Sequence, residues 1–184
     1  MSTYDYIIIG AGVSGLMLAD SLGRDVFFKE KSILLLDKNT KKANDRTWCY
    51  WEKGKGDFDQ LVYKSWDQIL FSGTHYQSQK SVSPYIYKMV RGIDFYREYL
   101  GRISNYPNIS IQKEEVLGIN PSENRVEIIT NLGTYQCKKV FNSALNYDKM
   151  VSQKKFPVLQ QHFLGWFLKT EKNTFDDRTA TFMD

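Results

Sequence analysis

The sequence has almost no cysteine. Only Cys49 and Cys137 occur in 184 residues, at no paired spacing, which argues against a disulfide framework or a cysteine zinc site. Histidine is equally scarce. His75 and His162 lack partners at ligand or catalytic spacing, so both read as structural. Long apolar runs are missing: the aliphatic stretches Ile7–Ile9 and Ile33–Leu36 fall far short of the roughly 20 residues that span a bilayer. No cationic segment followed by an apolar core opens the chain. A cytosolic protein, or one seated on a membrane surface, is therefore expected. Charge of one sign is also lacking. The net charge is +4, and short basic pairs such as Lys41–Lys42 and Lys138–Lys139 do not amount to a basic tract, too little for nucleic-acid binding.

What is present describes a globular chain, with 42% hydrophobic and 25% charged residues. Aromatic content is high at 15%, which suits a ring-rich core or an apolar cleft. Tyr4–Ile9 is a compact apolar run ending in glycine and reads as a buried parallel strand. Val13, Leu16 and Met17 follow at helical spacing, and Gly23 reads as an end or break of that helix. Residues 25–31 leave room for an extra helical turn. Ile33–Leu36 reads as a second buried strand, closed by Asp37. Lys38–Glu52 shows no period and reads as a loop. Leu61–Phe71 reads as strands. Tyr85–Leu100 has a helical pattern through Met89, Val90, Ile93, Tyr96 and Leu100. Strands are expected over 108–119, 125–130 and 135–141, and over 162–170 with a bulge at Gly165.

The strongest signal is Gly10-Ala11-Gly12-Val13-Ser14-Gly15. A bare G-x-G-x-x-G is weak, but here a strand precedes it, a helix follows, and a second strand ends in Asp37, 22 positions after Gly15. Gly10 permits the turn, Gly12 lets a pyrophosphate approach the backbone, and Gly15 lets helix and strand pack closely. The helix N-terminus attracts the phosphates. Asp37 accepts from ribose hydroxyls and would repel a 2′-phosphate, which disfavours NADP. Lys38 and Arg46 are further cofactor candidates, Arg46 for phosphate or ribose, with a salt bridge anchoring its loop the alternative. FAD is favoured over NAD because interleaved strands, rather than repeated βα units, follow the fingerprint.

The segment Asn44-Asp45-Arg46-Thr47-Trp48-Cys49-Tyr50-Trp51-Glu52 resembles the bacterial lycopene β-cyclase family, as do Tyr87–Leu100, Leu159–Trp166 and the terminal Phe182-Met183-Asp184. The resemblance implies an α/β flavoprotein: a Rossmann-like FAD-binding domain with a β-rich substrate layer. It implies closure of lycopene, or a related acyclic carotenoid, to β-ionone rings. An acid protonates the terminal double bond, a carbocation closes the ring, and a base removes a proton. Reduced FAD stabilises the cation, NAD(P)H supplies the electrons, and the net redox change is nil. So apolar a substrate implies a cytoplasmic enzyme held peripherally on the inner membrane.

Family members are about twice this length, and their acidic motif lies beyond the last residue here. A truncated chain, inactive by itself, is therefore expected. Asp184 matches the family's Met-Asp aspartate and is the one candidate proton donor. Trp48, Tyr50 and Trp51 are candidates for lining a polyene tunnel, with core packing or flavin-edge contact the competing readings. Glu52 reads as a functional carboxylate or a lysine's surface partner. Phe163, Trp166 and Phe167 read as core strand residues before substrate-facing ones. The expected division is a nucleotide-binding domain over 1–59 and 84–150 and a substrate layer over 60–83 and 151–184. The rival readings are a redox flavoenzyme of monooxygenase or geranylgeranyl-reductase type, and a nucleotide-binding fragment without an active site. Oligomeric state is not legible.

Overall fold

The computed structural model describes residues 2–39, 43–144, 147–152, 155–159, 165, 168–172 and 174–182. The chain divides into two compact units, one of residues 1–50, 57–64 and 89–144, the other of 51–56, 65–88 and 145–184. The second unit's central segment runs a few residues later than the 60–83 read from the sequence, and it takes in 51–56.

In chain order the elements are β1 (Ser2–Ile9), α1 (Val13–Arg24), β2 (Ile33–Asp37), β3 (Thr47–Lys53), β4 (Val62–Trp66), β5 (Gln68–Gly73), β6 (Tyr76–Ser81) and β7 (Tyr85–Arg91). There follow α2 (Gly92–Ile103), β8 (Ile109–Lys113), β9 (Val116–Pro121), β10 (Val126–Thr130), β11 (Thr134–Asn142), α3 (Tyr147–Ser152) and β12 (Thr179–Phe182).

The first unit is built on a six-stranded sheet in the order β8-β2-β1-β11-β10-β9. β1 lies parallel to both β2 and β11, and β2 lies parallel to β8. β9, β10 and β11 form an antiparallel meander. The continuous apolar runs of β1 and β2 suit strands covered on both faces. Ile33, Leu34, Leu35 and Leu36 are each 0% exposed. Strand alternation splits them between two cores. Ile8, Ile33 and Leu35 pack with Leu16 and Ala19 of α1 and with Phe95, Tyr96, Tyr99 and Ile103 of α2. Ile7, Ile9, Leu34 and Leu36 pack with Ile128 and Cys137. Burying one such leucine or isoleucine is worth about 1.5–3 kcal/mol, so β2 contributes heavily to both cores. The helices are tied together by Asp20 of α1, buried beneath Arg24 (3.2 Å), Arg102 (3.7 Å) and the Tyr106 hydroxyl, which donates to it at 2.9 Å.

Several expectations need correction. α1 does not stop at Gly23 but runs through it to Arg24. Glycine is needed there for packing, because a Cβ would lie 2.3 Å from the Tyr106 ring. Met17 is 37% exposed, and the buried side of α1 is Leu16, Ala19, Asp20 and Leu22. The expected loop over 38–52 ends in a strand, β3. Its alternation was invisible because both faces carry aromatics. The expected helix over 85–100 is a strand followed by a helix. β7 turns Ile86, Lys88 and Val90 to its more buried side, and a lysine among apolar residues disguises a period of two. The short turn expected after α1 is a 3-10 turn at Val26–Phe28. Most of 162–170, including His162, Phe163, Trp166 and Phe167, lies outside the described residues.

The second unit contains the three-stranded sheet β12-β5-β6, with β12 parallel and β6 antiparallel to β5. Arg178 pairs with Asp67, and the Gln79 amide donates to the Thr179 hydroxyl at 3.1 Å. A third sheet has the order β3-β7-β4. Among the described residues no helix is long and apolar enough to cross a membrane.

Two helical glycines separate steric need from tolerance. Gly23→Ala should destabilise the protein by about 1–3 kcal/mol through overpacking against Tyr106. Gly101→Ala meets nothing within 4 Å and should stabilise by about 0.5–1 kcal/mol through helix propensity. Thermal or urea unfolding of the two variants checks the opposite signs.

Candidate functional site

The fingerprint lies at the C-terminal end of β1, where the neighbouring strands diverge. Helix α1 and strand β2 lie to one side and β11 to the other, the position at which open α/β sheets bind ligands. Gly10 has φ +95°, a left-handed conformation that favours glycine. Its N–H donates to the Leu36 carbonyl at 2.8 Å. A Cβ on Gly15 would lie 1.8 Å from the Gly10 carbonyl oxygen, so α1 approaches β1 as closely as backbones allow.

Gly12 is different. Its φ of −75° and ψ of −172° suit any residue, and a Cβ there would meet nothing within 4 Å. Among the described residues no contact requires glycine at this position, whereas a phosphate passing over the backbone would. Gly12 is the N-cap of α1, where no side chain caps the helix and the first turn holds no acid. Ala11, Val13 and Ser14 complete the loop. The residues present therefore fit a dinucleotide pyrophosphate.

Asp37 ends β2 beside this loop. One carboxylate oxygen accepts from the Ala11 N–H at 2.6 Å, the other from the Asn39 N–H at 2.7 Å. The acid thus pins the glycine loop to the end of β2, and each oxygen keeps acceptor capacity for a ribose hydroxyl. Lys38 points away to an exposed ion pair with Glu115 at 3.5 Å, worth little energetically.

The Asn44–Arg46 segment anchors α2. The Arg46 carbonyl accepts from the Gly92 N–H at 2.7 Å, and the Asn44 side-chain oxygen accepts from the Ile93 N–H at 3.3 Å. Both bonds satisfy otherwise orphaned donors at the helix start. The Tyr96 hydroxyl bonds the Asp45 carboxylate; burial and this bond push it up to about 12. Arg46 itself is exposed, so its backbone does the anchoring while its guanidinium faces solvent.

The three tunnel candidates are not brought together. On β3, Trp48 and Tyr50 share one side of the strand and Trp51 lies on the other. Trp48 packs edge-on to Phe95 and Tyr96 at 5.6 and 6.0 Å, and Tyr50 packs on Phe58 at 6.3 Å. Trp51 is 47% exposed. Glu52 pairs with Lys88 at 2.8 Å, a lysine that is buried, not at the surface. Asp184 lies outside the described residues.

Two supporting residues escaped the sequence reading. The Ser143 hydroxyl donates to the Ile9 carbonyl at 2.8 Å and lies 3.3 Å from that of Gly10, bracing the loop from β11. Glu114 donates its N–H to the Asp37 carbonyl at 3.0 Å. Its buried carboxylate accepts from the Thr130 and Tyr135 hydroxyls at 2.5 and 2.6 Å. The Glu114 bond, with burial, pushes the Tyr135 hydroxyl up to about 12. Both residues are contributed by long-range strand pairing, and the Glu114-Glu115 pair looks in sequence like ordinary surface acid. A shallow depression of about 380 Å³ lined by Tyr4, Lys31, Ser32 and Asn108 lies near the opposite ends of these strands, away from the fingerprint.

Sheet order, glycine cradle and terminal acid define a Rossmann-like FAD-binding fold. Solved structures agree at the level of fold. p-Nitrophenol 4-monooxygenase PnpA from Pseudomonas putida DLL-E4 superposes with a TM-score of 0.59 at 16% identity, over 83% of this chain and 43% of that one. PqsL from Pseudomonas aeruginosa, a probable FAD-dependent monooxygenase, gives 0.55 at 14% identity, over 76% of this chain and 42% of that one. The halogenase PltM, solved with phloroglucinol and FAD, gives 0.54 at 11% identity, over 77% and 34%. The chain thus spans less than half the length of each. By sequence, no curated protein matches it significantly. Residues 5–184 match the lycopene cyclase protein family, and the chain belongs to that family.

Gly12→Ala should leave the fold and its unfolding midpoint unchanged in the absence of flavin, while FAD affinity falls at least tenfold. Equilibrium dialysis with FAD, beside thermal melts of the flavin-free protein, checks the pair. Undiminished uptake would show that no phosphate crosses Gly12. Alkaline titration tests the Tyr96–Asp45 anchor. Tyr96's value is raised above the ordinary 10, so its stabilisation is complete below about pH 10 and lost as pH rises through about 12. Tyr96→Phe should remove that part of the alkaline destabilisation, read from unfolding midpoints between pH 9 and 12.

Proposed function

We propose that the full-length protein is a flavin-dependent lycopene β-cyclase, closing the acyclic ends of lycopene or a related carotenoid to β-ionone rings without net redox change. The observation that carries this reading is the family match along residues 5–184. The glycine cradle and Asp37 support FAD as the resident cofactor, kept reduced by NAD(P)H. When bound, reduced FAD would supply an electron-rich ring that stabilises positive charge.

The chain's own residues perform the holding. Backbone N–H groups around Gly12–Ser14 receive the pyrophosphate. Asp37 orients the ribose while fixing the loop. Ser143 and Glu114 keep that loop and that acid in place. Asp184 is the candidate proton donor to the terminal alkene, and a proton lost from the ring carbon completes the isomerisation. A carbocation survives only where water is kept out, which fits a role for the β-rich second unit as the substrate layer. With so apolar a substrate, we place the enzyme peripherally on the cytoplasmic face of the inner membrane.

The expected outcome is that full-length protein with reduced FAD and lycopene in liposomes yields a cyclic carotene of unchanged mass, without stoichiometric consumption of reductant. Mass spectrometry and NAD(P)H accounting check it. A product differing by two hydrogens or one oxygen would identify a redox flavoenzyme instead.

A further inference from the structure

The second unit holds an aromatic array that differs from the first unit's core, where edge-to-face pairs occur together with stacked ones such as Phe95 and Tyr99 at 17°. In the core, Trp48 meets Phe95 and Tyr96 at 68° and 89°, and Tyr50 meets Phe58 at 78°. These are the edge-to-face angles favoured by ring quadrupoles. In the second unit none of the described ring pairs is edge-to-face, the steepest being Tyr87 and Phe182 at 52° and 5.2 Å. Trp51 is 4.5 Å from Tyr87 at 33° and 6.1 Å from Phe182 at 22°. Phe71 meets Phe182 at 36°, and Trp66 meets Tyr87 at 34°. Two members are substantially open: Trp51 is 47% exposed and Phe71 39%. The result is a rank of tilted ring faces drawn from β3, β7, β5 and β12.

The reverse side of the same strands carries a charged clamp. Alternation puts Glu52 and Lys88 opposite Trp51 and Tyr87, their neighbours in sequence. Lys88 is 4% exposed, and its ammonium donates to the Glu52 carboxylate at 2.8 Å and to the Gly54 carbonyl at 2.9 Å. Gly54, with φ +72°, makes the turn that offers that carbonyl. Gly56 lies so close over Glu52 that a Cβ would be 1.8 Å from the carboxylate. A half-buried ion pair is poor value as stabilisation, but it specifies one arrangement, since slipping the strands would leave the buried Lys88 ammonium without its carboxylate.

We infer that Trp51, Tyr87 and Phe182 form a stacking platform for a flat, conjugated apolar chain, and that Glu52 and Lys88 are positioning residues holding Trp51 and Tyr87 in that rank. The inference deepens the cyclase reading and rests on it for the class of ligand. A conjugated chain is planar and polarisable along its length, so it gains from ring faces it can lie against. A saturated chain of equal length gains only from burial.

The test uses the full-length flavoprotein and a conjugated tetraene fatty acid, whose own fluorescence rises on leaving water, with the saturated acid of equal length as competitor. Trp51→Ala and Tyr87→Ala should each weaken tetraene binding about tenfold, leaving saturated-acid and FAD binding unchanged. Trp51→Phe should restore most of the loss. Lys88→Met touches no ligand yet should weaken tetraene binding severalfold with normal FAD uptake; should that variant misfold, the Trp51 pair still decides. Equal tetraene binding by wild type and Trp51→Ala, or equal competition by the saturated acid, overturns the inference. The cyclase reading fails separately: a wild type that binds tetraene through Trp51 but makes no cyclic carotene keeps the platform and loses the cyclase. One that cyclises lycopene with ring variants binding normally does the reverse.

Discussion

The nucleotide site depends on one close approach, that of α1 to the end of β1. With 1.8 Å between an added Gly15 Cβ and the Gly10 carbonyl oxygen, no residue larger than glycine lets the helix start where it does. From that start follows the direction of the first helical N–H groups. From it also follows the burial of Leu16 and Ala19 against Ile8 and Leu35. Asp37 holds the other side of the loop through the Ala11 N–H, and Ser143 braces it from β11. Three strands thus converge on one turn of about six residues, and protein hydrogen bonds alone hold that turn. Preorganisation of this kind lowers the entropic cost of holding a dinucleotide.

The polar groups in the first unit serve the same end. Asp20, almost fully buried, joins α1 to α2 through Arg102 and to the chain just after α2 through Tyr106, while Arg24 pairs with it from α1 itself. Glu114, also buried, ties the end of β2 to the β10–β11 turn through Thr130 and Tyr135. Removing one partner of such a group leaves its buried charge or donor unsatisfied and is costlier than the bond's net worth. The Asn44–Arg46 segment does for α2 what the fingerprint does for α1, except that its own backbone and side chains fill the helix start. One helix N-terminus is therefore closed by protein, while the other is left uncapped by any side chain.

The aromatic residues divide by geometry and not by composition. Trp48, Tyr50 and Trp51 stand within four positions in sequence, yet two lie against the first unit's core and one lies on the far side of β3. A strand's period of two enforces that split. It also explains why the segment had no readable period: with rings on both faces, hydrophobicity is constant along the strand and the alternation disappears from the pattern. The same blindness turned β7 and α2 into one expected helix, because Lys88 sits among buried residues where a period-of-two reading requires an apolar one.

The sequence by itself determined the βαβ opening, the glycine cradle, the terminal acid and the family. Each rests on local spacing: a turn, a helix start and a strand end lie within about 30 residues and carry their own steric demands. Only the tertiary structure decided what braces that cradle, which ring faces which way, and that Glu52 has a buried partner. Ser143 and Lys88 act on Ile9 and Glu52, 134 and 36 positions away, and Glu114 holds Asp37 from another strand end. Such contacts are made by strand order and packing, and a local pattern holds no record of which distant strands will be neighbours.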